Sequence, residues 1–159
     1  MMNHVEMMCL AESVALQSVC KRAQVGAVVR YTSRSGCVED PWTIATGYNM
    51  RPCGGDCEGE DGRTLPDVIH AEAVAIDAAL SDVIGDWEQY SMVDSALYVT
   101  RQPCINCARL IVGAGIGAVY YRDADDKTDG IEHLVANGVF VSSAWLVGER
   151  WAERWQERV

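Results

Sequence analysis

Two short segments constrain this chain more than anything else in it: His70-Ala71-Glu72 and Pro103-Cys104-Ile105-Asn106-Cys107. One histidine and two cysteines can hold a zinc ion by three ligands and leave the fourth position to water. To do that, segments far apart in the chain must meet at one point. Glu72, two places beyond the histidine, has the wrong spacing for a fourth ligand and suits a proton carrier beside that water.

A lone Cys-x-x-Cys is ambiguous between half a structural zinc site, a redox pair and two core residues. Here the context decides. A strand and then Pro103 precede it, and helix formers follow, so Cys104 and Cys107 sit at a helix N-terminus, where thiolates are favoured. At i and i+3 they share one face and can reach one ion. His70 also opens a helix, after an N-cap region around Asp67. Two thiolates and a neutral imidazole cancel the charge of zinc, and an ion so held can bring a bound water's pKa towards about 7.

Along the chain, the pattern predicts a helix over 10–19, strands over 25–29 and 43–48, and a long hairpin loop over 32–41. Residues 49–67, rich in Gly, Pro, Cys and acids, read as an irregular loop that delivers the chain to His70. Helices then follow over 71–80 and 104–111, strands over 96–100, 118–121 and 139–141, and a helix over 131–136 stopped by Asn137-Gly138. A last helix, 143–158, carries Trp145, Trp151 and Trp155 and covers the sheet or forms a subunit contact. Strands alternating with helices imply one layered α/β domain over residues 1–159, a hairpin joined to βα units.

Gly113-Ala114-Gly115-Ile116-Gly117 looks like a phosphate loop but lies between a helix and a strand, the reverse of the required order, and reads as a helix exit. Asp123-Ala124-Asp125-Asp126-Lys127 lacks the late Glu of a calcium loop and reads as a solvated acidic loop. Composition narrows the partners. A net charge of -10 repels polyanions, which disfavours long RNA or DNA and leaves a small anion held by one or two local cations. No run is long enough to cross a membrane and no export signal is evident, so the seven cysteines are expected to be reduced thiols in a cytoplasm.

With these residues in view, the chain resembles the cytidine and deoxycytidylate deaminase superfamily, most closely the deoxycytidylate (dCMP) deaminases, over about residues 20–141. His-x-Glu followed by Pro-Cys-x-x-Cys is the pattern of the zinc-dependent nucleobase deaminases. Cys20 to Val29, Thr46-Gly47-Tyr48-Asn49, Leu97-Tyr98-Val99-Thr100, Ala108 to Ile111, Ala114-Gly115-Ile116 and Val119-Tyr120-Tyr121 add matches in the expected order. The resemblance implies a three-layer α-β-α fold with a central mixed five-stranded sheet.

It also implies hydrolysis of dCMP to dUMP and ammonia, feeding thymidylate synthesis. Zinc-activated water would attack ring C4, and Glu72 would shuttle the protons. The alternatives are another cytosine nucleotide or nucleoside (dCTP, 5-modified dCMP, cytidine) and, further off, a tRNA adenosine or a catalytically silent zinc-binding subunit. By position, Asn49 would bind the sugar, Arg22 the 5′-phosphate with Lys21 as second choice, and the backbone of Ala71 the pyrimidine carbonyl, while Tyr120 or Tyr121 would lie near the base. The bland readings are a turn residue for Asn49 and a solvated cation for Arg22. Three departures from the family bear on base selectivity: Val74 where Asn is common, Met50 where Gly is common, and Asp125 where an aromatic is common. Homo-oligomers, hexamers above all, are implied as well, in the cytoplasm or, for a viral source, the host cytoplasm. Some relatives carry a second, structural zinc, for which Cys20, Cys53 and Cys57 are the candidates; the other reading is three unligated thiols.

Overall fold

A computed structural model of the chain describes residues 2–33, 42–86 and 90–143. Its centre is a five-stranded sheet made of β1 (Gly26–Ser33), β2 (Trp42–Tyr48), β3 (Tyr90–Arg101), β4 (Ala118–Asp123) and β5 (Phe140–Ser143). The spatial order is β2-β1-β3-β4-β5. β1 pairs antiparallel with β2 and β3, whereas β3–β4 and β4–β5 are parallel, so the sheet is mixed. The parallel pairs need crossover connections, and the helices supply them.

Successive side chains of a strand point to opposite faces. One face of this sheet carries Val28, Ala96, Tyr98 and Tyr120, and α1 (His4–Ala15) covers it with Met7, Met8 and Ala11. The other carries Ala27, Val29, Tyr31, Leu97, Val99 and Val119. It is covered by α2 (Ala71–Gly85), α3 (Ile105–Gly113) and α4 (Asp129–Ala136), through Ala71, Ala75, Ile76, Ala108, Ile111 and Leu134. The result is the α-β-α arrangement expected. The many alanines matter, because small side chains let the helices that carry the ligands lie close to the strands.

Several boundaries differ from expectation. The first helix begins at His4 rather than residue 10, because Asn3 and Glu6 form a reciprocal capping box: Glu6 N donates to Asn3 Oδ1 at 3.0 Å and Asn3 N to Glu6 Oε2 at 2.8 Å. β3 is longer than 96–100. Its first half, interrupted by Asp94 at φ 63, pairs with β1 across a register shift between Arg30 and Thr32. Residues 113–117 are the helix exit expected, with Gly115 at φ 76. Most of the 32–41 loop and, beyond Ser143, the 143–158 helix lie outside the described residues. No helix among the described residues is long and apolar enough to cross a membrane.

Candidate active site

The first turns of α2 and α3 meet beside β1, β2 and β3. His70 is the N-cap of α2 and Cys104 the N-cap of α3, and neither side chain caps its own helix, so both are free to point elsewhere. Two glycines permit the approach. A Cβ on Gly47 of β2 would lie 2.6 Å from Ala71 O and 2.5 Å from Ala75 N, so α2 rests directly on that strand. A Cβ on Gly130 of α4 would lie 2.2 Å from Pro103 O and 2.9 Å from the carbonyl carbon of Cys104. The loop before α2 is closed by a short bridge, Met50 N to Ile69 O at 3.1 Å and Ile69 N to Met50 O at 2.8 Å, which sets Asn49 near His70.

His70 Nδ1 is 3.4 Å from Cys107 Sγ and 3.7 Å from Cys104 Sγ, and the three ligand atoms lie within 4.8 Å of one another. Zn–N and Zn–S bonds of about 2.1 and 2.3 Å in tetrahedral array separate their donors by about 3.5 Å, so the set fits zinc. Proton affinities agree with that. Hydrogen bonds from Cys107 and His70 hold the Cys104 thiol down at about 3, while donation to Cys104, with burial, pushes Cys107 up. A thiol held down in this way beside a histidine and a second cysteine is suited to a cation. Among the described residues this is the only group of three or more such ligands. Glu72 is 4% exposed, and burial pushes its carboxyl up, which eases its cycling between acid and base.

Above this floor opens a cavity of about 410 Å³, lined among others by Arg22, Asn49, His70, Ala71, Glu72 and Cys104. Asn49 is nearly buried and holds its own surroundings: Oδ1 accepts from Val25 N at 2.8 Å, and Nδ2 donates to Ala23 O at 2.8 Å. Ala71 is buried, and its N–H lies in the first turn of α2, where helix geometry gives it no partner. The guanidinium of Arg22 has no hydrogen-bond or ion-pair partner among the described residues. Lys21, the second choice, is paired with Asp56 at 2.9 Å and does not line the cavity.

Three expectations are corrected. Tyr120 stacks on Tyr98 at 5.0 Å between ring centroids, in the core under α1, because strand alternation turns it to the face opposite the cavity. Tyr121, on the nearer face, packs against the core and does not line the cavity either. Cys20 and Cys57 are joined in a disulfide, with Cα atoms 4.9 Å apart, and Cys53 is exposed. The structure therefore does not bring Cys20, Cys53 and Cys57 together as three free thiols.

Sequence reasoning missed four residues at the cavity mouth: Glu58, Arg101, Gln102 and Lys127. Glu58 accepts from Lys21 N at 3.1 Å and Arg22 N at 2.9 Å, tying the loop to the segment that carries Arg22. Gln102 donates from Nε2 to Lys127 O at 2.6 Å and accepts at Oε1 from Asp125 N at 3.2 Å. Arg101 pairs with Asp125 at 2.7 Å. The one signal for Arg101 and Gln102 was their place immediately before Pro103.

Residues 1–123 match the model of the cytidine and deoxycytidylate deaminase zinc-binding region. Over 128 residues the chain is 33% identical to the deoxycytidylate deaminase of Mycobacterium phage D29, covering 70% of this chain and 88% of that one. It is 35% identical over 127 residues to ComE operon protein 2 of Bacillus subtilis strain 168, covering 76% of this chain but only 59% of that protein. Among solved structures, dCMP deaminase from the cyanophage S-TIM5 in complex with dCMP and dUMP superposes with a TM-score of 0.71 at 35% identity, covering 90% of this chain and 98% of that one. The chain belongs to the cytidine and deoxycytidylate deaminase family. Its activity is zinc-dependent deamination, with His70, Cys104 and Cys107 as the cluster for the catalytic ion.

Proposed function

We propose that the chain converts dCMP to dUMP and ammonia, supplying the uracil nucleotide for thymidylate synthesis. The observation that carries this reading is the placement of Glu72. It is a buried carboxyl beside the three-ligand cluster, at the floor of a cavity that also presents the Arg22 guanidinium, which has no partner among the described residues. The structural relative that held dCMP and dUMP supports the substrate class.

Zinc, when bound, supplies Lewis-acid activation of water at this floor. The chain's own groups do the rest. Glu72 takes a proton from the attacking water and delivers it to ring N3 as oxygen adds to C4. It then passes a proton to the departing amine, so that dCMP and water leave as dUMP and ammonia. The N–H of Ala71 orients the ring by donating to its carbonyl oxygen. Asn49 keeps one Nδ2 hydrogen for the sugar while its other contacts hold residues 23–25 in place. Arg22 takes the 5′-phosphate.

The test is an ultraviolet assay of cytidine, CMP, dCMP, dCTP and 5-substituted dCMPs with zinc content measured in parallel. The highest kcat/KM is expected for dCMP. Zinc-loaded protein that releases no ammonia from any of them would overturn the cytosine-nucleotide reading, and a better rate on another member of the panel would replace dCMP.

A further inference from the structure

The cavity mouth has an unusual charge arrangement. Three cations line it, Arg22, Arg101 and Lys127, and they are not equivalent. Arg22 and Lys127 have side chains without a partner among the described residues. Arg101, at the end of β3, is held at 2.7 Å by Asp125 from the loop after β4.

Asp125 is not a swinging surface acid. Its backbone N–H is taken by Gln102 Oε1 at 3.2 Å, and its Oδ1 accepts from Lys127 N at 3.3 Å. Gln102, itself largely buried, grips the same loop at Lys127 O and, through its own N–H, at Asp123 O (2.8 Å). The carboxylate is therefore fixed at the rim. A second fixed carboxylate, Glu58, lies beside Arg22 with both oxygens already used by backbone N–H groups.

A 5′-monophosphate carries about -1.5 to -2 charge at neutral pH, which two unpartnered cations match. A β- and a γ-phosphate would bring further charge to a mouth whose third cation is already spent and whose rim carries immobile carboxylates.

We infer that Asp125 sets a one-phosphate limit on the substrate: it neutralises Arg101 and repels the added charge of a di- or triphosphate. The inference rests on the cytosine-nucleotide reading above and names the residue that makes the monophosphate the preferred form. Discrimination of this kind comes from a repulsive element as much as from attractive contacts.

The experiment compares kcat/KM for dCMP and dCTP, with deoxycytidine as the uncharged reference, in the zinc-loaded wild type, Asp125→Asn, Arg101→Gln and the double variant. Asp125→Asn is expected to raise the dCTP-to-dCMP ratio by about three- to tenfold, the scale of one partly exposed charge interaction. Arg101→Gln, which bares Asp125, is expected to lower both nucleotides and dCTP further. The double variant removes both charges and should return the ratio towards the wild-type value. An unchanged ratio in a folded Asp125→Asn protein would overturn the inference, as would an equal change on all three substrates, deoxycytidine included. Calorimetric binding of dUMP and dUTP gives the same ratio without turnover. A chain that binds by this charge rule but deaminates nothing would therefore fail the proposed activity and not this inference.

Discussion

At the floor of the cavity the functional side chains come from the first turns of two helices, pressed against strands and a neighbouring helix by contacts that only glycine allows. At the mouth they come from a strand end and two loops, and they are joined by partly exposed ion pairs and hydrogen bonds to backbone. The floor has little room to change without losing the metal. The mouth can change charge by one substitution and keep its shape. Within one cavity, then, the part that determines the reaction is rigid and the part that admits the substrate is electrostatic and replaceable.

The largest expected effect strikes the floor alone. Glu72→Gln should lower kcat by about 10²–10⁴, the usual contribution of a positioned acid–base group, while zinc content stays at the wild-type level. Retained turnover would remove Glu72 from proton transfer. Next, Gly130→Ala forces a methyl against Pro103 and Cys104 and should cost about 1–3 kcal/mol of stability together with weakened zinc retention. A thermal melt and a chelator titration read both, and an unaltered zinc affinity would mean that the floor is less constrained than its packing suggests. Arg22→Ala, at the mouth, should raise KM for dCMP by about tenfold, the loss of one charge-assisted contact, and spare deoxycytidine. Equal effects on both substrates would take the phosphate away from Arg22.

The remaining effect concerns neither part, and so shows what the cavity does not depend on. Burial first, and the charge of Arg30 second, lower the pKa of His4 from 6.5 to about 4, and its Nδ1 lies 2.6 Å from the Tyr98 hydroxyl. A histidine held neutral stabilises the fold fully above pH 6.5. That contribution falls as pH drops from 6.5 and is gone near pH 4, since the unfolded chain takes up the proton more readily. With allowance for solvent screening, the loss is about 1–2 kcal/mol. Thermal midpoints across this window should fall in the wild type and less steeply in His4→Gln. Identical slopes would show that His4 does not titrate against folding.

The floor was legible because its chemistry is local: one histidine two places from a glutamate, two cysteines at helical spacing, and helix formers after each. Most strands and helices were legible for the same reason. The mouth was not, since Arg101 and Asp125 become neighbours only through the parallel pairing of β3 with β4, in which Arg101 lies opposite Asp123. Strand adjacency is a tertiary fact that no local pattern carries. The placing of Tyr120 near the base failed for a different reason. Val119 and Tyr121 lie on one face of β4 and Tyr120 on the other, so alternation alone was enough to exclude it from the cavity side. The cap at Asn3 and Glu6 was likewise present to be read, whereas the Cys20–Cys57 pairing depends on how residues 49–67 fold back.

Gln102 has a consequence beyond its own contacts. It grips the 123–127 loop through three main-chain atoms: the oxygens of Asp123 and Lys127 and the nitrogen of Asp125. Main-chain atoms are the same whatever the side chain, so this clamp is blind to residue identity. The loop can be rewritten letter by letter under a constant outline, which makes it a natural cassette for descendants of this chain, or for an engineer, to trade one nucleotide for another with the reaction centre left as it is.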